Sequence, residues 1–440
     1  MPDKTVDVAI LGCGTVGGGV VNILRDNHDM LLGRTGIDFQ LRHVVVKDRS
    51  DYPPNAPELP MSTDANAAID DPASEVVLEL IGGTTIAGTL IERALRLGKP
   101  VVTANKSLLA LRGHELFALA RKHDTCIAFE ASVGGGIPII DAVLRGLVAN
   151  RIDAILGIVN GTCNFILTQM TGKGWTYDQA LKEAQKQGFA EANPTLDVSG
   201  RDAAQKLAIL ASLAFNARVV ESDIHVEGID NVEPADIQFA REMGYVIKLL
   251  AIAERANGDR ISLRVHPTLV HKDDVLADVG GPFNAISVFG HALGHALWYG
   301  RGAGRMPTAS AVVSDLVGVA MGTTALSFRQ LRTLPDMTSK AIVLPFQELQ
   351  SRYYIRLAAM DQPGVLAQIT AALGRQGISL SSILQHEAVG TEHVPVVITT
   401  HVAREGAMQA ALKEIDGLPT TVPRTVCLRI VDQPKEFGGR

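Results

Sequence analysis

The stretch Gly188–Lys206, GFAEANPTLDVSGRDAAQK, gathers three carboxylates and an amine: Glu191, Asp197, Asp202 and Lys206. Asp202 and Lys206 are four residues apart, at the start of the apolar-periodic run KLAILASLAF. On a helix that spacing puts both side chains on one face. An acid beside an amine can carry a proton to or from a substrate oxygen. The competing reading is an ordinary surface pair, worth only about 0.3–0.5 kcal/mol. A second amine, Lys106, follows the strand-like run Pro100–Thr103 in the motif TANK. It is placed to hold an oxygen of substrate or cofactor, although most lysines simply sit in solvent.

A nucleotide is the reactant that the N-terminal motif suggests. Gly12, Gly14 and Gly17 form GxGxxG between the apolar run Val6–Leu11 and a helical pattern from Val16 to about Asp26. The first glycine permits a tight turn, the second lets backbone approach a pyrophosphate, and the helix start favours its charge. Thr15 and Val16 complete this phosphate loop. Ile81 and Gly82 end a later strand-like run, on the side of the sheet that would face the cofactor. After the second strand the chain reads VVVKDRS. Lys47 and Arg49 favour a 2′-phosphate, hence NADP over NAD, while Asp48 keeps NAD open.

These motifs need a scaffold of several domains. The 440 residues exceed what one core usually holds, about 250–300. Residues 1–135 alternate strand and helix and read as a Rossmann-type α/β domain, joined by a returning small-residue helix at about 305–330. Residues 136–304 read as an α+β substrate and dimerisation domain, and 331–350, with two prolines, as a linker. Residues 351–435 follow the order βαββαβ, a ferredoxin-like arrangement.

Composition narrows the partners. A formal charge of -6 gives no reason to expect nucleic acid, and no run of 18 apolar residues suggests a membrane span. The N-terminus reads as a first strand rather than a signal peptide. Cys13, Cys126, Cys163 and Cys427 form no CxxC pair, which suits a reducing, cytoplasmic setting.

Taken together, GCGTVG, TANK, EASVGGGIPI, NGTCNFIL, GFAEANPTLDVSGRDAAQKLAIL and GAGRMPTASAVVSDL resemble homoserine dehydrogenase, in that family's order and over roughly residues 5–320. The resemblance implies reversible NAD(P)H-dependent reduction of L-aspartate 4-semialdehyde to L-homoserine, on the route to threonine, methionine and isoleucine. It assigns Lys206 as acid/base and Lys106 as a second active-site lysine. Glu191 and Asp202 become substrate carboxylates, with Asp197 a further candidate. Gly188 and Gly304 become cofactor contacts. It implies a monovalent cation, sodium, held mainly by carbonyls of Glu130, Val133, Gly135 and Ile137. A homodimer or homotetramer is also implied. Phe189 stands where the family often has tyrosine.

The motifs Asp361–Leu366 (DQPGVL) and Gln376–Leu380 (QGISL) resemble an ACT domain, a fold that commonly binds amino acids. In this context L-threonine is the implied effector, as feedback inhibitor. Two alternatives stay open: an enzyme like aspartate-semialdehyde dehydrogenase, using Cys163 as nucleophile, or a non-catalytic amino-acid sensor. His291 and His295, in HALGHALWYG, would share a helix face as a metal pair, but no third ligand is near and a structural or interface role is the better reading.

Overall fold

The computed structural model describes residues 2–48, 59–386, 393–432 and 434. Arg49 and most of the proline-rich loop 51–60 lie outside the described residues. The chain divides into two compact units, one of residues 1–155, 203–224 and 283–341, the other of 156–202, 225–282 and 342–440.

The first unit is built on a six-stranded parallel sheet. Its spatial order is Met61–Ser62, Ile37–Val45, Lys4–Leu11, Val76–Glu79, Val101–Thr103, Ile127–Ala128. Val8–Leu11 and Val76–Glu79 are buried throughout, as expected of strands covered on both faces. The strand order reverses between these two, which makes their carboxyl ends the crevice where open sheets of this kind take ligands. The Arg305–Ala320 helix packs on the Thr15–Asp26 helix. The contact is close because Gly19 has no side chain: a Cβ there would lie 2.8 Å from the Arg305 carbonyl oxygen.

The same unit holds an antiparallel hairpin, Phe283–Gly290 with Gly294–Arg301. The helix considered for His291 and His295 is therefore corrected: His291 lies in the turn and His295 on a strand. From Ala296 to Arg301 exposure alternates residue by residue, a period of two that a helix cannot produce. His295 Nε2 bonds Ser287 Oγ at 3.0 Å, and His291 Nδ1 accepts from the Arg151 amide at 3.0 Å, so both serve structure.

In the second unit, Tyr245–Arg255 and Arg260–His271 pair antiparallel over eleven residues each. The Arg260–His271 strand also pairs in parallel with Thr421–Ile430. From there the sheet continues through Gln350–Met360, His393–Thr400 and Leu380–Gln385. The last four strands and the helices Val365–Arg375 and Glu405–Ile415 have the expected βαββαβ order. Their core packs Ile355, Leu357, Ile369, Leu373, Ile398, Met408 and Ile415. The ferredoxin-like module thus shares a continuous sheet with the substrate-side strands.

Candidate active site

The phosphate loop is shaped by what its glycines exclude. Gly12 has φ +99°, and a Cβ there would lie 2.8 Å from the Leu80 carbonyl oxygen. A Cβ on Gly17 would lie 2.0 Å from the Gly12 carbonyl oxygen. A Cβ on Gly14 would meet no atom within 4 Å, so the side left open is the one a pyrophosphate needs. No side chain caps the Thr15–Asp26 helix, which leaves its first amides to a ligand. Arg305 reaches over this loop: its Nη2 would be 3.0 Å from a Cβ on Gly18. Its charge also lowers the Cys13 thiol pKa, less than burial raises it. Lys47 and Asp48 are exposed beyond the second strand. Gly304 precedes the Arg305–Ala320 helix with φ 123°. The loop fits a dinucleotide.

One buried carboxylate ties the two crevice loops together. Glu79, fully buried, accepts from the amides of Ile81 at 2.9 Å and Gly82 at 3.0 Å with one oxygen. Its other oxygen accepts from Thr103 Oγ1 at 2.8 Å and, at a longer 3.4 Å, from Asn105 Nδ2. Asn105 Nδ2 also bonds the Gly83 carbonyl, and its Oδ1 caps the helix that Lys106 begins. Ser107, next to Lys106, donates to Gln205 Oε1 at 2.8 Å, and Gln205 adjoins Lys206. A single hydrogen bond therefore joins the immediate neighbours of the two lysines. Lys206 itself is 8% exposed on the Arg201–Phe215 helix, one turn beyond Asp202.

In the second unit, Asn160 organises the carboxylates. Its Nδ2 lies 2.8 Å from both Asp197 Oδ1 and Asp202 Oδ2, while its Oδ1 caps the Gly161–Lys173 helix at the Cys163 amide. Thr162 Oγ1 donates to the Phe189 carbonyl at 2.6 Å and approaches Asp197 Oδ2 at 3.3 Å. It thus ties the loop of Gly188 and Glu191 to the helix Thr195–Val198. Glu191 is exposed, and its carbonyl accepts from Gln185. Cys163 is buried and its Sγ lies 3.2 Å from the Asp197 carbonyl oxygen, a poor position for a nucleophile.

The residues assigned to a cation lie in the first unit. Among the described residues no cluster of three His, Cys, Asp or Glu side chains could hold a metal ion. Gly134 and Gly135, with φ +76° and +56°, turn the chain between Val133 and Ile137. A Cβ on Gly135 would lie 2.6 Å from the Gly302 carbonyl oxygen. Asn284, fully buried beside Gly302, leaves both amide atoms without a hydrogen bond. An orphaned buried amide next to a glycine-lined turn is the chemistry a hard cation or a water would complete. The Glu130 carboxylate is spoken for: it accepts from the amides of Ile140 and Asp141. Burial nonetheless raises its pKa to about 7, and that of Asp315, which accepts from the Glu130 amide, to about 8. Both line a cavity of about 360 Å³ with Phe129, Ile140 and Phe328.

Sequence reasoning missed Glu79, Asn105, Ser107, Asn160, Thr162, Gln205 and Arg305 as site residues. The polar side chains inside VVLEL, TANK and NGTCN were visible in the sequence, but their partners lie in distant segments.

Comparison with known proteins identifies the family of each part of the chain. Residues 12–130 match the family described as homoserine dehydrogenase, NAD binding domain; 138–317 match homoserine dehydrogenase; and 353–420 match the ACT domain. A homoserine dehydrogenase of Pseudomonas aeruginosa is 43% identical over 428 residues, 96% of this chain and 98% of its own. That of Bacillus subtilis is 41% identical, covering 94% and 96%. The crystal structure of a homoserine dehydrogenase from Thiobacillus denitrificans superposes with a TM-score of 0.92 at 42% identity, covering 98% of this chain and 100% of that one. With glycine loop, lysines and carboxylates set on this scaffold, the chain belongs to the homoserine dehydrogenase family, an NAD(P)-dependent oxidoreductase with an ACT domain.

Proposed function

We propose that Lys206 is the proton donor when aspartate 4-semialdehyde is reduced, and that Glu191 and Asp202 hold the substrate ammonium. The nicotinamide, when bound, supplies the hydride. The Lys206 ammonium gives its proton to the carbonyl oxygen and stabilises the developing alkoxide. In the reverse direction the neutral amine takes the hydroxyl proton. Lys106 holds the same oxygen or the cofactor, and Asp197 adds to the grip on the ammonium through Asn160. The observation that carries this reading is the Ser107–Gln205 bond between the neighbours of both lysines.

NADP is favoured over NAD by Lys47, with Arg49 outside the described residues. A hyperthermophilic archaeal homoserine dehydrogenase of the same fold, TM-score 0.61 at 25% identity, is in complex with NADPH. Gly12, Gly14, Thr15, Val16 and Gly17 take the pyrophosphate, with Ile81, Gly82, Gly188 and Gly304 as further contacts. Sodium is held by carbonyls of Glu130, Val133, Gly135 and Ile137, a reading supported by the orphaned Asn284 amide. L-threonine is the effector, at the turn Asp361–Gly364, where Gly364 starts a helix with no side-chain cap. A homo-oligomer is favoured by exposed Leu297 and Tyr299 on the Gly294–Arg301 strand. Threonine and methionine biosynthesis in the cytoplasm completes the reading, with residues 1–135 and 305–330, 136–304, and 351–435 as its functional domains.

The test is NADPH oxidation with aspartate 4-semialdehyde. Wild type turns over without phosphate, and Lys206→Ala loses about 10²–10⁴ in kcat. Full activity in Lys206→Ala refutes the assignment. Phosphate dependence with acylation of Cys163 favours the semialdehyde dehydrogenase alternative, and no wild-type turnover favours the sensor.

A further inference from the structure

The carboxylates Asp197 and Asp202 flank the end of the Thr195–Val198 helix and the turn Ser199–Gly200, which are propped from one side by the segment Glu227–Ile229. The Ile229 amide donates to the Val198 carbonyl at 2.9 Å. A Cβ on Gly228 would lie 2.5 Å from that same carbonyl oxygen, so the two backbones touch. Gly200, with φ +83°, packs so that a Cβ would lie 3.2 Å from the Glu227 carbonyl oxygen. The Glu227 amide donates to Val265 at 2.8 Å, fixing the segment to the Arg260–His271 strand.

What holds the Glu227 side chain comes from the C-terminal module. Arg429, 3% exposed on its last strand, donates through Nη1 to Glu227 Oε2 at 2.5 Å. The rest of its guanidinium grips Glu405, fully buried, through Nε at 3.1 Å and Nη2 at 2.6 Å. Tyr353 and Gln409 also donate to Glu405. Glu227 Oε1 pairs with His225 Nε2 at 2.8 Å, and the His225 ring stacks on Phe346, four residues before the Gln350–Met360 strand of the module. The fork of Arg429 thus joins a carboxylate of the module to a carboxylate of the substrate side in one rigid plane.

We propose that Glu227, gripped by Arg429, is a positioning residue for the substrate segment Asp197–Asp202, so that the ACT module sets substrate affinity through its last strand. The inference rests on the reading of Asp197 and Asp202 as substrate ligands. A module held in this way gives an effector a physical lever: whatever shifts the Thr421–Ile430 strand moves Arg429, Glu227 and the turn behind it.

The experiment measures KM for homoserine, KM for NADP⁺ and kcat in Glu227→Ala, Glu227→Gln, Arg429→Lys and the double variant Glu227→Ala/Arg429→Met. Circular dichroism melting confirms that each is folded. Glu227→Ala raises KM for homoserine about 5- to 150-fold, the range of coupling between linked sites, with KM for NADP⁺ unchanged. Glu227→Gln and Arg429→Lys move it less in the same direction. The double variant shows no rise beyond Glu227→Ala, because one pair carries the effect. A homoserine KM within twofold of wild type in folded Glu227→Ala overturns the proposal, as does a loss of activity that tracks only the folded fraction. If Glu227→Ala does not fold, Glu227→Gln and Arg429→Lys decide by the same criterion. Asp202→Asn separates the two readings. If it leaves the homoserine KM unchanged, the substrate assignment fails; if it raises KM and Glu227→Ala does not, the coupling alone fails.

Discussion

Glu79 offers the sharpest test of how the crevice is built. A carboxylate has about four acceptor positions, and four donors occupy them here: two amides, the Thr103 hydroxyl and the Asn105 amide. Replacing it by alanine does not cost four bonds. Ile81 is 43% exposed and Gly82 is exposed, so water reaches their amides. Asn105 keeps its 2.7 Å bond to Gly83. Thr103, fully buried, is left without its acceptor, at about 1–3 kcal/mol. The lost charge-assisted pairing with the amides brings the sum to about 2–4 kcal/mol. Glu79→Gln can keep the Ile81 and Gly82 bonds by turning its amine toward Thr103, and costs about 1–3 kcal/mol. Urea unfolding of the unliganded protein reads the stability. Quenching of NADPH fluorescence reads the crevice, where Glu79→Ala weakens binding because both loops loosen. A loss below about 0.5 kcal/mol in Glu79→Ala, with NADPH affinity within twofold of wild type, would refute the reasoning.

Two further outcomes are expected. Arg305→Met weakens NADPH binding about tenfold and flattens its salt dependence, because one guanidinium over the phosphate loop is lost; titration at two ionic strengths checks this. Glu227 gives an acid-stability signature. Burial raises its pKa, but the His225 hydrogen bond and the Arg429 charge outweigh that and hold it down at about 2. A folded pKa below the unfolded value stabilises above about pH 4.5, and that contribution is lost as pH falls toward 2. Chemical denaturation between pH 6 and pH 3 therefore shows a shallower stability loss in Glu227→Gln than in wild type.

Parts of this site were legible because they depend on local backbone. Gly12 turns the chain with positive φ and Gly17 packs against the Gly12 carbonyl five residues back, so GxGxxG reads largely from local backbone, although Gly12 also lies against Leu80. The C-terminal βαββαβ order followed from alternation and turn residues, and the returning Arg305–Ala320 helix from its small side chains. The Tyr245–Arg255 strand was harder, since Ile247–Ala253 are all buried and carry no alternation. Glu79 was missed for a different reason. It sits inside the apolar strand VVLE, and its value lies in Thr103 and Asn105, more than twenty residues away. Four-residue spacing allows a helix at His291 and His295, but the chain forms a hairpin there, and the structural role expected of the pair fits their bonds to Arg151 and Ser287.

The C-terminal module shares its sheet with the Arg260–His271 strand, and that alters the choice of experiment. Deleting residues 351–440 would strip partners from the Arg260–His271 strand and from Asp236, which is fully buried. Asp236 accepts from Arg356 Nε at 2.5 Å and Nη2 at 3.1 Å, and from the Tyr354 hydroxyl at 3.0 Å. Deletion exposes Asp236 to water, so its charge is solvated and the cost is lost burial. A single substitution is harsher in kind, because Arg356→Met leaves the carboxylate buried without its cation. Such breaks cost about 3–5 kcal/mol. Two neutral donors remain, Tyr354 and the Glu233 amide at 3.0 Å, so the lower half of that range is expected. Asp236→Asn/Arg356→Met removes both charges and recovers most of the loss, since a buried pair seldom outperforms its neutral replacement by much. Urea midpoints of the single and double variants measure both steps. If Arg356→Met alone shifts stability by less than about 1 kcal/mol, the module is docked by its sheet and not by this ion pair.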